Sequence, residues 1–173
     1  MVDIERFYSI PLSFRGEVKL GDFGLSRFYN AALPGRPYTN KVISLWYRPI
    51  ELLLGEESYG FEVDIWSCGC ILAELFTRRV LFHASSELEL IQMITDLCGT
   101  PSISDWPKVR ELPLYQTFNM KLKPRKLFHD YNQVIPDLAL HLLDQMLMLN
   151  PMKRITASDA LQSSWIIING KKS

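Results

Sequence analysis

Two kinds of side chain in this sequence could do chemistry: a carboxylate held in a turn, and a set of thiols and imidazoles. Asp22 lies in Gly21-Asp-Phe-Gly24, directly after the alternating stretch Glu17-Val-Lys-Leu20. A carboxylate there can hold a hard cation, because such ions take oxygen ligands. An aspartate before a glycine is also ordinary turn chemistry, so the tripeptide alone decides nothing. Cys68, Cys70 and Cys98 are odd in number, and Cys68 and Cys70 stand two apart in a helical pattern, where they do not face each other. That points to reduced, mostly buried thiols in a cytosolic or nuclear protein. His83, His129 and His141 show no metal-ligand spacing with one another or with cysteine. Scattered surface or half-buried histidines are expected rather than a zinc site.

The elements that must position these groups can be read along the chain. Residues 17–20 alternate polar and apolar as a short half-buried strand does, and Arg15-Gly16 could close a hairpin with Ser9 to Leu12. Pro11 would confine that partner strand to an edge. Residues 22–51 contain Gly24, Pro34, Gly35, Pro37 and Pro49 without a sustained period. They read as a long loop, and loops of such length are usually functional. Val63 to Phe76 is apolar nearly all round, which requires burial on every side. Ser86 to Leu97 is amphipathic, with Ser86 as N-cap, Glu89 at the capping-box position, and Gly99 and Pro101 as stops. The basic run Lys121-Leu-Lys-Pro-Arg-Lys126 reads as a solvated loop. Two more helices are expected, Asp137 to Leu149, ended by Asn150-Pro151, and Ala157 to Ile168, capped by Thr156. No internal repeat or low-complexity tract is present.

The chain has 173 residues, enough for one domain with a sizeable core; 47% are hydrophobic and 22% charged, ordinary for a soluble globular protein. The formal net charge is zero, so no nucleic-acid or anionic-membrane partner is expected. No apolar run reaches the roughly eighteen residues of a membrane span, and the N-terminus lacks the apolar stretch of a secretory signal.

Four motifs stand in a fixed order: Asp22-Phe-Gly24; Trp46-Tyr-Arg-Pro-Ile-Glu51; Asp64-Ile-Trp-Ser-Cys-Gly69; and Asn150-Pro-Met-Lys-Arg154-Ile-Thr156. Together they resemble the magnesium-binding turn, the end of the activation segment, the start of the central helix and the late arginine motif of eukaryotic protein kinases. The resemblance covers Arg15 to about Trp165. Tyr38-Thr-Asn-Lys-Val-Ile-Ser-Leu-Trp-Tyr-Arg48, Cys98-Gly-Thr-Pro101 and Trp106-Pro107 are similar to the cyclin-dependent group. Arg36 to Ile43, Glu51 to Glu57 and Trp66 to Leu72 most resemble its transcription-elongation branch, which contains cyclin-dependent kinases twelve and thirteen. The fold class this implies is mainly α: the C-terminal lobe of a protein kinase fold, truncated, with at most one short β-hairpin before the metal-binding turn. Residues 1–14 would be an atypical leader without family likeness, 15–168 a partial kinase domain, and 169–173 a polar tail.

The resemblance also implies roles. Asp22 would bind magnesium and, through it, the phosphates of ATP. Thr39 would be the activating phosphosite, with Arg27 as the one visible clamp arginine; a phosphate there adds close to two negative charges that order the loop by pairing with arginine. An ordinary surface arginine is the competing account of Arg27. Val42, Ile43 and Ser44 would shape the site for a proline after the target serine, since an apolar platform suits a residue without an N–H. Glu51 and Arg154 would form a buried ion pair whose rupture costs about 3–5 kcal/mol. Asp64 would accept backbone N–H groups of the catalytic loop. The activity implied is ATP-dependent phosphorylation of Ser/Thr-Pro sites, of the RNA polymerase II tail in particular. The parent kinase would be nuclear and partnered by a cyclin, whose binding helix is not found here, with no direct contact to nucleic acid or membrane.

The chain departs from that pattern at its start. The catalytic-loop aspartate of this group lies about eighteen residues before the magnesium aspartate, which puts Ile4 in its place; the second metal-holding asparagine falls at Ser9. Isoleucine cannot orient or accept the proton of a substrate hydroxyl. A shift by one residue brings Asp3 into register but puts Glu5 and Tyr8 where a lysine and an asparagine belong. The Gly-rich loop and the nucleotide lysine are likewise not found. The expectation is a chain inactive by itself: part of a longer kinase, a truncated or spliced non-catalytic interaction module, or the product of a mispredicted start. A second expectation concerns stability. Ile65, Ile71, Leu72, Leu75 and Phe76 should not all find partners, which would leave an apolar patch and a marginal fold.

Overall fold

The computed structural model describes residues 39–118 and 120–170. The described residues form seven α-helices and no strand: α1 (Ile50–Leu53), α2 (Glu62–Thr77), α3 (Glu87–Cys98), α4 (Leu127–Tyr131), α5 (Asp137–Met146), α6 (Ala157–Leu161) and α7 (Ser164–Gly170). Single 3-10 turns at Leu45–Tyr47, Pro107–Glu111 and Pro151–Lys153 join them. The expected hairpin at residues 9–20 lies outside the described residues.

α2 is the axis of the core. Trp66, Cys70 and Ala73 are buried with Ile50, Leu53 and Leu54 of the α1 region, Leu90 and Ile94 of α3, and Leu140 and Leu143 of α5. α2 and α5 approach closely because Gly69 has no side chain. A Cβ there would lie 3.0 Å from both Leu147 Cδ2 and Met146 Cβ. Gly69→Ala should therefore overpack the crossing and lower stability by about 1–3 kcal/mol, read as a shifted denaturation midpoint at unchanged slope.

Burial of α2 is not complete. Ile65 is buried with Leu142, Met146 and Ala160, and Phe76 packs edge-on against Trp165 at 5.5 Å between ring centroids. Leu75 is 65% exposed. It borders an apolar groove of about 240 Å³, lined also by Ile71, Leu72, Leu142 and Trp165. Close packing on every side thus fails along one stripe.

The other helices follow from local chemistry. Ser86 Oγ caps α3 by accepting from Glu89 N at 3.2 Å. The Glu89 carboxylate reaches back to Ser85 N and Oγ rather than to Ser86 N, so the reciprocal half of the box lands one residue early. Those bonds from Ser85 hold the Glu89 carboxyl below its ordinary pKa. Gly99 ends α3 with φ +84°, a conformation that favours glycine. α5 stops at Met146, short of the expected Leu149, because Asn150 starts a new turn by accepting from Met152 N at 3.1 Å. The expected single helix over 157–168 is two. Thr156 Oγ1 caps α6 by accepting from Asp159 N at 3.1 Å, and Ser163 Oγ then accepts from Ile166 N at 3.4 Å and starts α7.

The basic run is not merely solvated. Lys123 pairs with Asp96 at 2.9 Å, and Arg125 Nε pairs with Asp144 Oδ1 at 2.7 Å. Arg125 Nη1 donates to Cys98 O and Leu147 O, and Nη2 to Asp144 O. One guanidinium thereby meets carbonyls at the C-terminal ends of both α3 and α5. Such carbonyls lack a partner within the helix, and the half-buried guanidinium supplies one.

Candidate functional site

The segment 39–51 runs along the surface and then dives into the core at α1. Thr39 is exposed; its carbonyl accepts from Tyr59 Oη at 2.7 Å, and its hydroxyl accepts from Lys41 N at 3.3 Å. Val42 and Ile43 are buried against Leu52, Tyr59 and Val63. These two side chains therefore point inward. Ser44 is half-buried and precedes the 3-10 turn, its carbonyl accepting from Tyr47 N at 2.9 Å.

Ile43 has φ +66°, in the left-handed region. For a β-branched residue this is a genuine outlier, costing on the order of 1–3 kcal/mol, and it persists only where the surroundings enforce it. Arg48 enforces it. Its Nε donates to Val42 O at 2.9 Å and to Ile43 O at 3.3 Å, and its Nη2 donates to Ile43 O at 3.0 Å. The third nitrogen, Nη1, pairs with Glu87 Oε1 at 2.7 Å. Arg48 lies in the sequence motif 38–48, where nothing local assigns it a role. No local pattern marks an isoleucine for left-handed geometry.

Two further contacts fix this unit. Trp46 Nε1 donates to Ala84 O at 2.8 Å, and its ring lies 4.5 Å from that of His83. Ser67 Oγ of α2 donates to Tyr47 O at 3.0 Å, and Tyr47 Oη to Glu74 Oε2 at 2.9 Å.

Glu51, on α1, meets Arg154 as a bidentate pair: Nη1 to Oε1 at 2.7 Å and Nη2 to Oε2 at 3.0 Å. Both side chains are almost wholly buried. Arg154 Nη1 also donates to Glu62 O at 2.7 Å and Nε to Met148 O at 3.1 Å, while the guanidinium lies 5.2 Å above the Trp66 ring. This pair ties the end of the surface segment to the start of α2 and to the turn after α5. Asp64 is half-buried in the first turn of α2. Asp22, Arg27, Ile4 and Ser9 lie outside the described residues, as does the loop Asp64 is expected to hold.

Burial pushes the thiols of Cys68 and Cys98 up to about 11, aided at Cys68 by the nearby Asp64 carboxylate, and raises Cys70 well above its ordinary value. Near neutral pH they are protonated and unreactive. Among the described residues no cluster of three or more His, Cys, Asp or Glu side chains could hold a metal, and no helix is long and apolar enough to cross a membrane.

The Protein kinase domain family matches residues 10–166. The chain belongs to the protein kinase family. This kinase chain is 54% identical over 158 residues to Cyclin-dependent kinase 12 of Drosophila melanogaster, an alignment that covers 91% of the chain and 14% of that protein. It is similar in structure, with a TM-score of 0.81 at 40% identity, to a chain of the yeast RNA Pol II CTD kinase CTDK-1 complex, over 87% of this chain and 50% of that one. It is likewise similar to a chain of the Chaetomium thermophilum CAK complex bound to ATP-gamma-S, with a TM-score of 0.82 at 39% identity, over 89% of this chain and 48% of that one. The kinase chain thus spans half or less of the length of each relative. Its helical described part has the kinase fold, consistent with the C-terminal lobe, and its likeness is to cyclin-dependent and CTD kinases.

Proposed function

We propose that this chain is the peptide-selecting part of a cyclin-dependent Ser/Thr kinase that directs the γ-phosphoryl group of ATP to a serine or threonine followed by proline. The observation that carries this reading is the left-handed Ile43 with its carbonyl held by Arg48. A peptide laid along this segment brings the N–H of the residue after the target toward a carbonyl already engaged. An ordinary residue would bury an unsatisfied donor there, whereas proline has none to lose. Thr39, exposed four residues before Ile43, is the activating phosphosite on this reading, paired with Arg27. Asp22 holds the magnesium that accompanies ATP. Since Asp22 lies outside the described residues, the described part accounts for peptide choice rather than for phosphoryl transfer.

The cyclin partner, nuclear location and RNA polymerase II tail as substrate belong to the same proposal, supported by the likeness to cyclin-dependent and CTD kinases. Ile4 and Ser9 favour a non-catalytic reading of this chain alone, because neither can position a substrate hydroxyl or a second metal. The test is binding of labelled peptides that differ only after the target serine: proline, alanine or N-methylalanine. Proline and N-methylalanine peptides should bind alike, and the alanine peptide about tenfold more weakly, since an unsatisfied N–H costs roughly 1–3 kcal/mol. Equal binding of all three would sink the reading. With Mg-ATP no phosphoryl transfer is expected from this chain, and measured transfer would overturn the non-catalytic account.

A further inference from the structure

We infer that Glu87, the first residue of α3, is a specificity-determining positioning residue for the amino acid after the phosphorylated one, acting through Arg48. The inference rests on the proline-selecting reading above and adds a residue to it from outside the surface segment.

A guanidinium is planar and rigid, so fixing one nitrogen orients the others. Arg48 places Nε and Nη2 on the carbonyls of Val42 and Ile43, which define its plane, and Nη1 is left for a third anchor that holds the fork down on both. Glu87 Oε1 takes it at 2.7 Å. Arg48 is 13% exposed and Glu87 50%, so the pair sits at the rim, with its cation sunk beneath the carboxylate. No other carboxylate forms an ion pair with Arg48 among the described residues. Glu89, two positions on, is committed to Ser85 N and Oγ.

The geometry gives Glu87 a fixed base. Ser86 caps α3 immediately before it. The adjoining residues His83 and Ala84 contact Trp46, two residues before Arg48. The start of α3 and the segment 46–48 therefore form one unit, and the carboxylate meets Nη1 without a long search through rotamers. When Glu87 is removed, Nη1 turns to water, the hold of Nε and Nη2 on the Ile43 carbonyl loosens, and that carbonyl accepts a peptide N–H more readily. Discrimination then falls because the wrong peptide binds better, not because the right one binds worse.

The test compares wild type, Glu87→Ala, Glu87→Gln and the exposed control Glu57→Gln, all in the whole chain, for binding to the proline and alanine peptides. Wild type and E57Q should prefer proline about tenfold, E87A should fall to about twofold or less through tighter alanine-peptide binding, and E87Q should lie between. Raising salt should shrink the preference of wild type and leave that of E87A unchanged, because a half-exposed ion pair is screened. A wild type without preference would remove the proline-selecting reading and this inference with it. A wild-type preference that persists in E87A would overturn the role of Glu87 alone. So would an equal weakening of both peptides in E87A, the signature of a purely structural residue.

Discussion

Arg154→Ala should remove about 3–5 kcal/mol of stability, seen as loss or steep weakening of the cooperative denaturation transition followed by circular dichroism. The Glu51 carboxylate is 1% exposed and its partner is bidentate, so truncation strands a charge that water cannot reach. The carbonyls of Glu62 and Met148 lose their donor at the same time, and Trp66 loses the cation above its ring. Domains of this size are stable by about 5–15 kcal/mol in total, so about a fifth or more of the margin is at stake. Glu51→Leu combined with Arg154→Met should be less damaging than R154A, since two packed apolar side chains leave no buried charge. A loss below 1 kcal/mol in R154A would show that the pair is not structural.

Arg48→Ala should abolish the preference for proline, bringing the affinities of proline and alanine peptides within about twofold. Three donated hydrogen bonds to two carbonyls disappear. The left-handed geometry of Ile43 then stands uncompensated, and the segment relaxes toward ordinary extended backbone. The freed carbonyl accepts the N–H that proline lacks. Arg48→Lys should resemble the alanine variant more than wild type, because an ammonium lacks the planar fork that spans two carbonyls and a carboxylate. Stability should fall by about 1.5–3 kcal/mol in R48A, as charge-assisted hydrogen bonds are lost. An unchanged peptide preference in a folded R48A would show that the carbonyl does not select.

Much of the helical frame was legible because it is local. α2 and α3 fall within a residue or two of their expected limits, and the capping roles of Ser86 and Thr156 follow from hydroxyls before amphipathic runs. The failures are also physical. A serine at 163 that caps a second helix looks, in sequence, like a tolerable residue in one long helix. Glu51 and Arg154 are 103 positions apart, so only family resemblance could suggest pairing them. Val42 and Ile43 are expected to shape the site for a proline, and both are buried against Leu52, Tyr59 and Val63. The roles proposed for Arg48 and Glu87 become visible only when a dihedral angle and a contact across 39 positions are known.

Arg125 joins two helix ends that the chain order keeps apart. Its guanidinium donates to Cys98 O, at the last residue of α3, and to Asp144 O and Leu147 O at the close of α5. Helix ends normally fray independently, each opening at little cost to the rest. Here fraying at either end must first release the shared cation, and release exposes both sets of carbonyls together. The tails of α3 and α5 should consequently open together, with a single side chain from the segment between them as the shared latch.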